Sequence, residues 1–173
     1  MKQVELTDGV IAMRPFRPED AESHLAGEDE EQIRWLSGGK STLASVRSWI
    51  ESNEKSWEDG GPVFNFAIWS LADQNLVGMA EANTANLGIE GLESGDANIS
   101  YGIYPRARGK GYATRAVNLL LQFLKSKKFK RAVIRIDPRN TYSVTVPIAC
   151  GFRATGDIVH TEQGELAVYL KEL

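Results

Sequence analysis

Residues 97–127 read ANISYGIYPRARGKGYATRAVNLLLQFLKSK, and the rest of the chain is organised around them. Ile99, Tyr101 and Ile103 alternate with smaller or polar residues, the period-2 pattern of a half-buried strand. The loop Pro105-Arg106-Ala107-Arg108-Gly109-Lys110-Gly111 follows. Apolar residues then recur at Ala113, Ala116, Val117, Leu120 and Leu124, a spacing of threes and fours that predicts a helix with one apolar face. A glycine-rich turn feeding a helix N-terminus leaves several backbone N–H groups unpaired, and the helix dipole adds partial positive charge there. With Arg106, Arg108 and Lys110 around it, this turn suits phosphate, and a diphosphate most naturally.

The remaining chain limits what this turn can serve. A chain of 173 residues reads as one domain over 1–173, long enough to bury a full core. A formal net charge of −3 argues against general nucleic-acid binding, so the basic turn is local. No apolar run approaches the ~20 residues that span a bilayer, so no membrane partner is expected. The first residues, MKQVELTDGVIAMRP, contain no apolar signal core. The single cysteine, Cys150, cannot form an internal disulfide. Together these features predict a cytoplasmic protein, either a monomer or a homodimer. His24 and His160 lie far apart and no metal-ligand spacing is present, so no metal is expected.

Taken in order, Val10 to Pro15 predicts a strand, and Pro18-Glu19-Asp20 opens a helix through Leu25. Residues 27–39 read as polar and irregular, broken by Ile33, Trp35 and Leu36. A second helix is predicted from about Thr42 to Trp57, with Val46, Trp49, Ile50 and Trp57 near one face. Strands follow around Phe64–Trp69 and Leu76–Ala82, joined by a turn at Ala72-Asp73-Gln74-Asn75. A long loop covers Asn83 to Asp96. Beyond the central segment come a strand at 132–137 and a short helix from Thr141 or Ser143, which Pro147 should distort. Two closing strands, near 154–160 and 166–170, turn at Glu162-Gln163-Gly164. The strand–helix–strand passage over 97–137 implies a right-handed crossover between parallel neighbours, and the flanking hairpins imply antiparallel edges. The predicted class is α/β with a mixed, mostly antiparallel twisted sheet; it has too few βα units for a Rossmann domain.

Four stretches carry a resemblance. Arg106-Ala107-Arg108-Gly109-Lys110-Gly111, continuing Tyr112-Ala113-Thr114, has the form Arg/Gln-x-x-Gly-x-Gly/Ala; Asn140-x-x-Ser143 precedes Gly151-Phe152; Met13-Arg14-Pro15 precedes Glu19-Asp20; and Leu76-Val77-Gly78 opens a strand. In these the chain resembles the GCN5-related N-acetyltransferase (GNAT) superfamily, in the branch that includes the ribosomal-protein N-terminal acetyltransferases. The resemblance implies transfer of an acetyl group from acetyl-CoA to a primary amine by direct attack in a ternary complex. It implies a GNAT fold in which the strands at 97–103 and 132–137 splay around pantetheine. The amides from Arg108 through Ala113 would hold the diphosphate, Gly109, Gly111, Tyr112 and Thr114 would complete the cofactor loop, and Arg106, Arg108 and Lys110 would reach outer phosphates. Ile103 and Tyr104 would offer backbone groups to the pantetheine amides, with an N–H near Ile103 polarising the thioester carbonyl. Asn140 would meet pantetheine or ribose, and Ser143 would sit near the sulfur.

The chain also departs from that pattern. Pro147 stands where some members carry a tyrosine acid, and Asn98 where relatives carry a glutamate in the central strand. Ser143 and Glu81 are therefore the candidate catalytic residues, with helix capping an equal reading for Ser143. The missing tyrosine and glutamate sustain a second reading, an acyl-CoA-binding sensor without catalysis. The acceptor is a protein N-terminus or a small amine such as an amino acid, polyamine or antibiotic. Glu28, Asp29, Glu30 and Glu31 hint at an anionic cleft for a cationic acceptor, although acid runs more often form solvated faces. Trp35 is the tryptophan best placed to touch an acceptor. Cys150 reads as a buried core thiol. Gly38-Gly39-Lys40-Ser41 imitates a phosphate loop, but Arg34 stands where its first glycine belongs.

Overall fold

The structure, a computed structural model, describes residues 4–85, 92–162 and 164–173. The long loop expected over 83–96 thus lies partly outside the described residues, as do the first three residues and Gln163 of the closing turn. Strands β1 (Leu6–Thr7), β2 (Ile11–Pro15), β3 (Val63–Ser70), β4 (Asn75–Asn83), β5 (Asp96–Ile103), β6 (Arg131–Ile136), β7 (Arg153–Thr161) and β8 (Gly164–Glu172) form one sheet in the order β1-β2-β3-β4-β5-β6-β8-β7. Every pairing is antiparallel except β5 with β6, as the crossover through helix α4 (Tyr112–Ser126) requires. This is the mixed α/β architecture expected from the sequence. The edge strand β1 is too short to signal itself by alternation and exists through its pairing of Leu6 with Met13.

Helix α4 covers one face of the sheet, where Phe66, Ile68, Ala80, Ala82, Ile99 and Ile134 meet Ala116, Val117, Leu120 and Leu124. Its buried face is wider than the predicted stripe, because Phe123 joins an aromatic cluster at the end of β3. The Phe123 ring lies 5.2 Å from Phe64, 5.3 Å from Phe66 and 5.8 Å from Trp57. The opposite face is covered over β2, β3 and β4 by α1 (Ala21–Gly27) and α3 (Leu43–Glu58), where Phe16, Val46, Ile50 and Ala67 are buried together. Thr42 caps α3 by accepting from the Ser45 amide. Trp57 leaves the Val46–Ile50 face: the last turn of α3 carries it into the core beside α4, where its indole N–H donates to Asn65 O at 3.0 Å.

Two local expectations change. The irregular reading of 27–39 gives way to a helical turn, α2 (Glu30–Gln32), continued by a wide turn over Ile33–Ser37. Asp29 caps it by accepting from Gln32 N, and Gly38 ends it at φ +66°. Its packing is tertiary: an added Cβ on Gly102 would fall 2.5 Å from Leu36 and 2.9 Å from Gln32, so this segment lies against bare β5 backbone. The short helix after β6 starts later than expected, as α5 (Thr145–Ala149). Pro147 therefore falls in its first turn, where no N–H is needed, and does not distort it.

Leu120 is fully buried where α4 crosses the sheet. Leu120→Ala should lower unfolding free energy by about 2–5 kcal/mol in urea titrations without moving the far-ultraviolet circular dichroism. A loss near zero would mean that α4 is not the main cover of this face.

Candidate functional site

The site begins where β5 and β6 part. They are held together at their base by Asp96, whose carboxylate takes two hydrogen bonds from Arg131, at 2.8 and 2.5 Å. Pairing runs from Asp96–Arg131 only to Ile99–Ile134. Tyr104 N donates to Val77 O at 2.9 Å, which fixes the alternation along the β4–β5 ladder. By that alternation the backbone groups of Ile99, Tyr101 and Ile103 point toward β6. Past Ile99 the edge at Tyr101 and Ile103 therefore faces the gap between the strands. The Ile103 carbonyl in this edge accepts from Arg108 Nε at 3.0 Å, and its N–H has no partner among the described residues.

Tyr104, expected beside Ile103 on this edge, is engaged elsewhere. Its N–H goes to Val77 and its carbonyl accepts from Ala107 N. Its phenol is buried against Gly27 and shares a 2.6 Å hydrogen bond with His24 Nδ1. His24 stacks on Trp49 at 4.9 Å, and burial pushes its pKa down. The cluster fixes α1 to the end of β5.

The glycine loop arches over the mouth of the gap. Gly109 and Gly111 both lie at φ +76°, a backbone that non-glycine residues adopt only with strain. Gly111 is the N-cap of α4 and has no side chain to cap it. Among the described residues no acceptor meets the N–H groups of Gly109 through Thr114, which form a nest of donors at the positive end of a 15-residue helix. The basic side chains around it differ. Arg108 turns away, holding Asp29 bidentately at 2.7 and 2.9 Å. Lys110 lies 3.6 Å from Asp73. Arg106 is exposed and has no partner among the described residues. Tyr112 plugs inward, its hydroxyl 3.2 Å from Ser70 Oγ. Ala113 and Thr114 are half-buried in the first turn, and the Thr114 carbonyl accepts weakly from the buried Cys150 thiol, whose pKa burial pushes up to about 11.

The wall facing β5 across the gap is the turn before α5. Asn140 Oδ1 accepts from Ser143 N at 3.3 Å, which leaves the Asn140 side-chain N–H groups free. The Ser143 carbonyl accepts from the Tyr101 hydroxyl at 2.9 Å, so the turn is tied directly to the splayed strand. Among the described residues the Ser143 hydroxyl has no partner.

On the other face of the sheet, between α1–α3 and the valine cluster Val133–Val159–Val168, runs a polar strip: Asn65, Glu81, Asn98, Ser100 and Arg135. Glu81 lies opposite Ser100 and accepts from Asn65 Nδ2 at 2.9 Å. Burial pushes the Glu81 carboxyl above its ordinary range, and the Asn65 hydrogen bond offsets only part of this. Trp35 sits at the mouth of the strip between Arg34 and Arg139, whose guanidinium carbons lie 4.5 and 5.9 Å from its ring. The acidic run is already spoken for in part: Glu28 holds Ser41, Asp29 holds Arg108, and Glu31 accepts from the Trp35 indole. Sequence reading missed Tyr101, Arg135 and the Asp29–Arg108 bridge. Tyr101 was visible only as a core position, and the other two depend on non-local contacts. Among the described residues no group of acids, histidines and cysteines is placed to hold a metal, and no helix is long and apolar enough to cross a membrane.

The raised Glu81 pKa has a stability consequence. Its protonated form is favoured in the folded state, so the associated stability is present below the ordinary glutamate pKa and is lost as pH rises through the folded value. Glu81→Gln should therefore raise the melting temperature relative to wild type at pH 8, with the gain vanishing near pH 4. A gain independent of pH would place the carboxyl in solvent.

Comparison with known proteins agrees with this geometry. The acetyltransferase (GNAT) domain family matches residues 11–153, and the chain belongs to that family of acyltransferases. No curated protein matches it in sequence. Among solved structures it is similar to Mycobacterium smegmatis RimJ in complex with CoA-disulfide, at 21% identity and TM-score 0.79, covering 98% of this chain and 86% of that one. It is also similar to ribosomal-protein-S5-alanine acetyltransferase from Vibrio fischeri, at 18% and 0.76, covering 98% and 96%. Aminoglycoside acetyltransferase AAC(6')-Ib in complex with coenzyme A superposes equally well, at 18% and 0.76, covering 94% of each chain. At these identities the likeness speaks for the GNAT fold.

Proposed function

We propose that this GNAT-family protein moves an acetyl group from acetyl-CoA to a primary amine by direct attack in a ternary complex. The observation that carries the reading is the continuity of three features: the free amide nest at Gly109–Thr114, the unpaired β5 edge at Tyr101 and Ile103, and the polar strip with Glu81 on the face opposite α4. The nest suits the diphosphate. Pantetheine amides add to the β5 edge as a strand would, with Asn140 donating from the facing turn. Arg106, without a partner among the described residues, is available for an outer phosphate, and Lys110 needs only to leave a long contact with Asp73. Arg108 serves the loop differently, bracing it against α2 through Asp29.

The thioester carbonyl would accept from the Ile103 N–H, which gains strength as the oxygen becomes an oxyanion. The amine arrives along the polar strip as an ammonium. Glu81 takes its proton, a role to which burial, by raising the carboxyl pKa, suits it better than a solvated glutamate. The nitrogen lone pair then forms the N–C bond, the tetrahedral intermediate collapses, and the C–S bond breaks. As the intermediate collapses the nitrogen gives up its second proton, and the leaving thiolate takes one up from solvent or by relay through the Ser143 hydroxyl. Much of the acceleration is positional, because the two substrates meet through the same opening in the sheet.

Titration calorimetry with acetyl-CoA and release of free thiol across a panel of peptides and amines test the reading. Binding without thiol release on any amine favours the non-catalytic sensor, and no binding defeats both. Gly111→Val should abolish acetyl-CoA binding while the circular dichroism is kept, because a branched residue at φ +76° distorts the nest; unchanged affinity would put the diphosphate elsewhere. Glu81→Gln should lower kcat by about 10²-fold or more and remove the acidic limb of the pH–rate profile. A variant that kept that limb would remove Glu81 from the role of base.

A further inference from the structure

The polar strip holds an unpaired cation as well as Glu81. Arg135 is half-buried on β6, on the same face as Val133 and opposite in direction to the core residue Ile134. Its Nε donates to Asn98 Oδ1 at 3.0 Å, which fixes the guanidinium across β5. Its remaining N–H groups meet no acceptor, and no carboxylate lies within ion-pairing distance among the described residues. Elsewhere on the chain the partly buried arginines Arg14 and Arg131 are each paired with an aspartate, at 2.7 and 2.5 Å. A guanidinium withdrawn from water without an anion is costly, and the loss of solvation alone pushes the Arg135 pKa down.

Glu81 and Arg135 are not partners of each other. A mutual pair would push the Glu81 pKa down and that of Arg135 up, and both move the other way, under burial. Their strands are separated by β5, and because pairing with β6 ends at Ile99–Ile134 the two backbones lie farther apart than the about 10 Å of two regular strand spacings. The long side chains close part of that distance. The strip thus presents a proton acceptor and an anion receptor on one floor, on the two strands that flank β5. The mouth of the strip adds Arg34 and Arg139 around Trp35; Arg139 holds Asp137 at 2.5 Å, and Glu31 accepts from the Trp35 indole. Of the acidic run, Asp29 is neutralised by Arg108, while Glu28 and Glu31 accept from the uncharged Ser41 and Trp35.

We infer that the acceptor is a small zwitterionic amine of the amino-acid class, with its amine delivered to Glu81 and its carboxylate read by Arg135, which Asn98 positions. This rests on the acetyl-transfer reading above and adds the substrate class to it. A polyamine or aminoglycoside would bring further cations to a floor that already holds an unpaired one. A protein N-terminus carries an amide where the free amino acid carries its carboxylate, and an amide gives a guanidinium only a neutral partner.

The test is steady-state thiol release with acetyl-CoA and the standard amino acids, each compared with its C-terminal amide and its decarboxylated amine. At least one amino acid should show a KM about tenfold or more below that of its amide. Arg135→Gln should erase that preference by raising KM for the acid and leaving KM for the amide and the Kd for acetyl-CoA unchanged. Arg135→Lys should keep part of it, and Asn98→Ala should weaken it at constant kcat for the amide. Amides, peptides or polyamines turned over as well as or better than every free amino acid would overturn the inference while leaving acetyl transfer standing. An equal effect of Arg135→Gln on acids and amides would reduce Arg135 to a structural role and also overturn it. No thiol release with any amine would defeat the acetyl-transfer reading itself.

Discussion

The parallel pairing of β5 with β6 ends at Ile99–Ile134, and the working parts of the molecule depend on that ending. Below it, the Asp96–Arg131 pair holds the two strands in register. Above it, β5 continues to be held by β4, through the bond from Tyr104 N to Val77 O, while β6 turns away into the Asp137–Asn140 bend. A strand with one satisfied edge and one free edge is normally an outer strand and a liability. Here it lies in the middle of an eight-stranded sheet, where α4, the glycine loop and the Asn140–Ser143 turn surround the opening. The free edge is thereby kept from pairing with another chain and kept open to an extended ligand. Tyr101 spans the opening from within, its hydroxyl on the Ser143 carbonyl.

The two sides of the sheet divide the chemistry. Where the glycine loop meets α4 the recognising groups are backbone amides, which cannot change charge and suit a diphosphate at any physiological pH. On the α1–α3 face the polar groups are side chains, and burial raises the Glu81 pKa and lowers that of Arg135. The Asp29–Arg108 pair joins the two sides. Asp29 caps α2, α2 and the turn after it lie against Gly102, and Arg108 belongs to the glycine loop. The glycine loop is thereby tied to the segment that carries Trp35.

Much of the fold was legible in the chain. Alternation at Ile99, Tyr101 and Ile103, the threes and fours of α4 and the turn at Ala72-Asp73-Gln74-Asn75 all express local rules. The structure places β3, β4, β5, α3 and α4 close to where those rules put them. The segment 27–39 was illegible because its helical turn rests on the Asp29 cap and on contact with Gly102, about seventy residues away. The burial of Trp57 beside α4 was hidden for a related reason: helical spacing assigns it to the Val46–Ile50 face, and only the path of the chain past the sheet edge moves it.

By itself the sequence determined a mixed α/β chain with a diphosphate-suited loop at the head of a helix, because glycines at positive φ, an uncapped N-terminus and an amphipathic repeat are properties of contiguous residues. The tertiary structure alone decided which charges remain available. Arg106, Arg108 and Lys110 look alike in sequence, yet Arg108 is consumed by Asp29, Lys110 leans toward Asp73 and Arg106 stays free. Arg135 looks like any strand arginine, yet it ends unpaired on a half-buried floor. Charge availability depends on which distant carboxylate lands within about 4 Å, and that is settled by strand order and register, which no local pattern encodes.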